Sequence, residues 1–295
     1  MANPDQTLLG ASLNVPTTQN KTTSHGNTFE QRLVDNGIFF NAYLGSTDPA
    51  NMVEIKSIIT SERPELCVPK FTDDDFVYYL IQDQSACNEA TVLSTSFPLI
   101  VGKANIPNVR NAPLKRMLDL IKGVAPPQPD LFDGVRPETI AKSVLRQLGG
   151  YAQPSTINHH PAMSNFFVEC TGPDGTMRVG MRQLSHDLAS GARAMLEFRR
   201  FISADNAVDG HAYSFGATYL GGQGILTLFS CHPVSTGNTE QSMQYHVALV
   251  ASYHLHLDRE TFVKGVSAFR NLREFAQRVR ERIRDAANLK ASSAP

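Results

Sequence analysis

Asn165-Phe166-Phe167-Val168-Glu169-Cys170, continuing as Thr171-Gly172-Pro173-Asp174-Gly175, is the stretch on which the reading of this 295-residue chain turns. Aromatic and β-branched side chains favour extended backbone. Pro161 bounds the run on one side and Gly-Pro-Asp-Gly makes a tight turn on the other, so a strand is expected over 165–170. Alternate residues of a strand share a face, which puts Glu169 and Thr171 on one side. Residues 176–181 are expected to return as the hairpin partner.

Working downstream, Leu184, Leu188, Ala192, Met195, Leu196 and Phe198 recur at helical spacing between Gln183 and Ile202. The small Ala189, Ser190 and Gly191 let that helix approach a sheet. His211 to Tyr219 and Gly224 to His232 flank Gly221-Gly222 as a hairpin, and 244–254 reads as a further strand. Phe262, Val266, Phe269, Leu272, Phe275, Val279 and Ile283 predict an amphipathic helix over 259–288. Between Arg259 and Lys290 it carries nine basic residues against four acidic ones. That excess suits either a solvated face with cations near the helix C-terminus or a surface for DNA or RNA.

Upstream, 29–38 reads as a short helix stopped by Asn36-Gly37, and 52–59 as a second one. Thr72 caps a third, with Asp73, Asp74 and Asp75 in its first turn and an extension toward Val92. Pro126-Pro127-Gln128-Pro129 forbids both helix interior and central strand. It reads as a loop within one domain that aims Asp130, with a domain linker as the alternative. Pro137-Glu138 opens a helix to Leu148, ended by Gly149-Gly150.

Composition sets the outer limits. The chain is 41% apolar, enough for a core, and its 27 basic and 28 acidic side chains give a net charge of −1, so no global basic field advertises nucleic acid. Cys67, Cys87, Cys170 and Cys231 have neither zinc-site nor disulfide spacing. Residues 1–28 read as a polar disordered tail without a secretory pattern, and no stretch is apolar enough to span a membrane. An intracellular protein, cytoplasmic or nuclear, is the expectation. His159-His160 reads as a surface turn, and His254 and His256 as a pair lacking a third ligand. No phosphate loop, nucleophile elbow or dinucleotide fingerprint occurs.

Asp130 after the proline loop and Glu169 on the strand, with the backbone carbonyl of Cys170 beside them, are the oxygen donors a hard cation such as Mg²⁺ prefers. Such an ion could polarise a phosphodiester and activate water. The alternative reading is structural: Asp130 caps a turn, Glu169 pairs with Arg178 or Arg182, and Gln183 merely opens a helix.

Taken in order, Pro129-Asp130-Leu131-Phe132-Asp133-Gly134, then 165–175, then Arg182-Gln183 leading to Gly191-Ala192-Arg193, followed by Ala212-Tyr213, Gly221-Gly222-Gln223 and Tyr245-His246, resemble the PD-(D/E)XK nuclease superfamily, and within it a large group of fungal proteins. The likeness covers about residues 75–285. It implies a restriction-endonuclease-like core, a mixed central sheet flanked by helices in the α/β (α+β) class. The core would span 126–290 of a single domain at 29–290, with a mainly helical extension over 29–125 and a disordered end at 291–295. It also implies Asp130 and Glu169 as ligands of Mg²⁺ or Mn²⁺, Gln183 as a supporting residue and Glu89 as an added helical acid. The superfamily's lysine two residues after the glutamate is replaced by Thr171, whose hydroxyl carries no charge for a developing phosphorane. Arg178 or Arg182 could reach the site but only stabilise charge. The expectation is therefore a catalytically degenerate domain acting as a nucleic-acid or protein interaction module. The alternative is a Mg²⁺-dependent nuclease using Asp130 and Glu169.

Overall fold

In a computed structural model, residues 27–40, 45–157, 159–203, 208–237 and 243–293 are described. The tail reading for 1–26 lies outside the described residues. In chain order come α1 (Asn27–Asp35), β1 (Ile38–Phe39), α2 (Met52–Ile59), α3 (Asp73–Gln84), α4 (Glu89–Ser94), α5 (Phe97–Val101), β2 (Asn108–Arg110) and β3 (Leu131–Val135). They are followed by α6 (Lys142–Ala152), β4 (Ala162–Thr171), α7 (Met177–Ile202), β5 (Ser214–Leu220), β6 (Ile225–Ser235), β7 (Met243–His254) and α8 (Arg259–Ser293).

All ten residues of β4 are buried, as a strand covered on both faces must be. It pairs antiparallel with β3 and parallel with β5 inside a seven-stranded mixed sheet ordered β1-β7-β6-β5-β4-β3-β2. A parallel neighbour requires a crossover, and α7 provides it. The fold class is mixed α/β, with helices flanking the sheet.

The two faces of β4 are covered by different helices. On one, Gly191 of α7 sits so close that an added Cβ would lie 2.6 Å from the Phe167 ring and 2.7 Å from Ser214 Oγ. On the other, Phe269 of α8 meets Phe166 edge-on at 5.6 Å and Phe275 lies against Phe215 at 5.3 Å. Phe167, Glu169 and Thr171 therefore face α7, while Phe166, Val168 and Cys170 face α8.

Several local expectations are corrected. Residues 176–181 are no hairpin strand; α7 starts at Met177, because Met177, Met181, Leu184 and Leu188 continue the helical spacing toward the turn. The third helix ends at Gln84 instead of reaching Val92, since Asn88 caps a separate α4 by accepting from Thr91 N–H at 2.9 Å. Pro137–Thr139 is a 3-10 turn, and α6 runs through Gly149-Gly150. There Leu118 packs on Gly150 and donates its N–H to the Gly150 carbonyl at 2.8 Å. α8 extends to Ser293, past the expected helix end at 288.

The basic helix divides its charges between interior and surface. Arg273 and Arg280 are buried, and Arg270 donates to the carbonyls of Leu99 and Ile100, closing the C-terminal end of α5. Arg273 grips Asp133 of β3 with two hydrogen bonds of 2.7 and 2.8 Å. Arg280 donates to the Asn165 carbonyl oxygen, and the Asn165 amide donates to the backbone at Tyr213 and Ala276. Arg273 and Arg280 thus answer polar groups of β3 and β4, while Arg278 and Arg282 stay exposed.

A second polar knot ties the helical extension to the sheet. Asp83 of α3 accepts from the Tyr219 hydroxyl at 2.6 Å, Gly222 N–H at 2.8 Å and His256 Nε2 at 2.8 Å. Burial opposes its ionisation, but the bonds from His256, Ser96 and Tyr219 outweigh burial and hold its carboxyl below the usual range. His256 is thus engaged with Asp83 and makes no ligand pair with His254.

Removing Asp133 strands a guanidinium in the core. Asp133→Ala is expected to cost about 3–5 kcal/mol in urea unfolding, whereas Arg282→Ala, at an exposed position, should change stability by less than about 0.5 kcal/mol. A loss below about 1 kcal/mol for Asp133→Ala would show that the pair is not what holds α8 to the sheet.

Candidate functional site

Asp130 stands immediately before β3, its backbone carbonyl held by Asn111 N–H at 3.1 Å. The β3–β4 register, Leu131 opposite Val168, continues to set Asp130 opposite Glu169. Its Oδ2 accepts the Cys170 N–H at 2.7 Å. The expected pair is therefore brought together, and α7 adds a third acid that sequence reading missed. Gly180 lies against the sheet where a Cβ would stand 4.0 Å from Glu169 Cβ, and Asp187, two turns later on the same side, hydrogen-bonds with the Glu169 carboxyl. The one signal for it was an acid placed directly between apolar positions of the helix, Leu184 and Leu188.

Asp130, Glu169 and Asp187 are 8%, 4% and 1% exposed. Burial drives the Asp130 and Asp187 carboxyls up to about 7. Glu169 is raised well above its usual range, first by burial and then by repulsion from Asp187 and Asp130. Two carboxyls that interact directly in the interior share a proton between them, which raises the pair as a whole. Asp187 Oδ2 is buried without a partner.

The remaining expected residues surround this cluster unequally. Glu89 opens α4 and is exposed, yet its charge is felt by both Asp130 and Glu169. Gly172 permits that approach, since a Cβ there would lie 2.7 Å from the Glu89 backbone nitrogen. Cys170 faces away from Glu169; its N–H serves Asp130, and its thiol is pushed up by burial and the acids around it. Thr171 is buried with its methyl toward Gly180. Gln183 is half-buried on α7, one turn ahead of Asp187.

Neither rescuing arginine serves the cluster. Arg178 donates to Glu30 of α1 at 2.7 and 3.0 Å, and Arg182 lies 3.6 Å from the same carboxylate. The structural alternative, in which one of them pairs with Glu169, is equally unmet. Among the described residues, no ion pair forms to Asp130, Glu169 or Asp187, and no group of three or more His, Cys, Asp or Glu side chains is arranged to hold a metal ion. As folded, the site is a cluster of three buried carboxyls with raised pKa values and, among the described residues, no ion-paired cationic side chain. Comparisons with protein-family models, with curated proteins and with solved structures return no match.

The raised carboxyls make stability depend on pH with a definite sign. The folded chain keeps protons that the unfolded chain releases above about pH 4. The cluster's contribution is therefore full below that pH and is lost as pH rises through about 7. Glu169→Gln and Asp187→Asn should each gain on the order of 1 kcal/mol or more over wild type between about pH 5 and 8. Buried His186 and His232, pushed down to about 4, act in the opposite sense below about pH 6.5 but are common to all three proteins. Parallel stability curves for wild type and variants would refute the cluster as described.

Proposed function

We propose that this chain is a catalytically degenerate domain of the PD-(D/E)XK type that works as an interaction module. The observation that carries this reading is the absence of any cationic partner, among the described residues, for the three carboxylates. Thr171 stands at the lysine position, and Arg178 and Arg182 are turned to Glu30. Phosphodiester hydrolysis needs charge placed where the phosphorane develops, and losing a positioned proton-handling group commonly costs on the order of 10²–10⁴ in rate. A protein partner is favoured over DNA or RNA. The basic helix spends Arg270, Arg273 and Arg280 internally, while α3 turns Val77, Tyr78 and Ile81 outward as an apolar face.

The second reading, a Mg²⁺- or Mn²⁺-dependent nuclease, is favoured by one observation, the unpartnered buried Oδ2 of Asp187 beside an all-oxygen donor set. The donors do not fit an ion as the chain is folded.

Calorimetric titration of Mg²⁺ and Mn²⁺ into wild type and Glu169→Ala, with a nuclease assay on the same samples, separates the readings. The module reading expects no specific heat and no cleavage from either protein. Binding and cleavage present in wild type and lost in Glu169→Ala would replace it with the nuclease.

A further inference from the structure

On the α8 side of the sheet, away from the carboxyl cluster, a cavity of about 870 Å³ opens between α3, α5 and α8. Leu66, Phe71, Tyr78, Leu99 and Ile106 supply much of its wall, and Arg273 borders it. Arg273 is 1% exposed; its Nε and Nη2 are bound to Asp133, while its Nη1 is buried with no partner. Arg280, fully buried two turns further along α8, feels the same Asp133 and leaves Nε and Nη2 without partners.

Two interior guanidiniums thus share one carboxylate. A buried cation without its counter-charge is costly, and the remedy is an anion placed where a free N–H can reach it. The other charges on the wall do not provide one. Glu65 and Glu274 are both gripped by Arg63, and Asp75 is taken up capping α3 through Thr72. Lys103 adds a further cation at the exposed rim.

We propose that this cavity binds a small organic oxyanion, a carboxylate or phosphate monoester carried on an apolar or aromatic body. The oxyanion enters past Lys103 and accepts from Arg273 Nη1 once the side chains covering that buried atom move aside, and the body lies against Phe71, Tyr78 and Leu99. Arginine suits such a head because its planar fork matches oxyanion geometry, and an aromatic body suits the apolar wall. This site is independent of the Asp130 cluster and shares only Tyr78 with the outward face of α3.

Phenyl phosphate, benzoate, inorganic phosphate and neutral phenol, titrated calorimetrically into the full chain at low salt, provide the test. At least one of the two aromatic anions is expected to bind one per chain, about tenfold or more tighter than phenol and than inorganic phosphate. Which of them binds tighter identifies the head group. Lys103→Glu should weaken that anion by about tenfold and leave phenol unchanged. Ala104→Trp, an exposed substitution that fills the cavity without touching its ionic groups, should abolish binding, and Glu169→Gln across the sheet should not affect it. Equal affinity for phenol and the anions, anion binding that survives Ala104→Trp, or no anion binding at about 10 mM would each overturn the proposal.

Discussion

A strand buried along its whole length keeps its polar side chains from water, so Asn165 and Glu169 of β4 depend on the layers above and below it for partners. That requirement orders much of the molecule. Asn165 is answered by Arg280 and by two backbone carbonyls, and the neighbouring Asp133 by Arg273, which anchors α8 across the sheet. Glu169, on the opposite face, is answered by Asp187 and a proton. The same strand therefore carries one polar group satisfied by neighbouring donors and another satisfied only by a second acid. The first arrangement fastens the fold, and the second leaves a cluster of raised carboxyls in the interior.

The larger elements were legible because their signals are local. The helical spacing of Phe262 through Ile283, the Thr72 cap and the aromatic run of β4 each act within a few turns, and α2 falls on the residues expected for it. What was hidden depends on tertiary neighbours. Leu131–Val135 forms a central strand although its five residues include Asp133 and Gly134, because Arg273 neutralises the acid in place. Gly149-Gly150 stays helical because Leu118 packs there. The first turns of α7 resemble a strand in sequence because a Gly-rich turn precedes them, and such a turn can lead into a helix as readily as into a hairpin partner.

The site was legible in part. The pairing of Asp130 with Glu169 agrees with strand register, and Glu89 comes within electrostatic reach. Asp187 was not legible, since an acid inside an apolar helical stripe is recognised only when the facing strand is known to present another acid. The roles of Arg178, Arg273 and Arg280 escaped for the complementary reason: their partners, Glu30, Asp133 and Asn165, lie more than a hundred residues away. Charge counting along a helix cannot tell a solvated arginine from one that closes a core.

The central claim is that Asp130, Glu169 and Asp187 form a cluster that holds protons near neutrality. Carbon-13 titration of the side-chain carboxyls, with and without Mg²⁺, tests it most directly. At least one carboxyl of the three is predicted to titrate near pH 7 and to be unmoved by Mg²⁺. Titration of all three below about pH 5, or a collapse of the upper transition when Mg²⁺ is added, would contradict it.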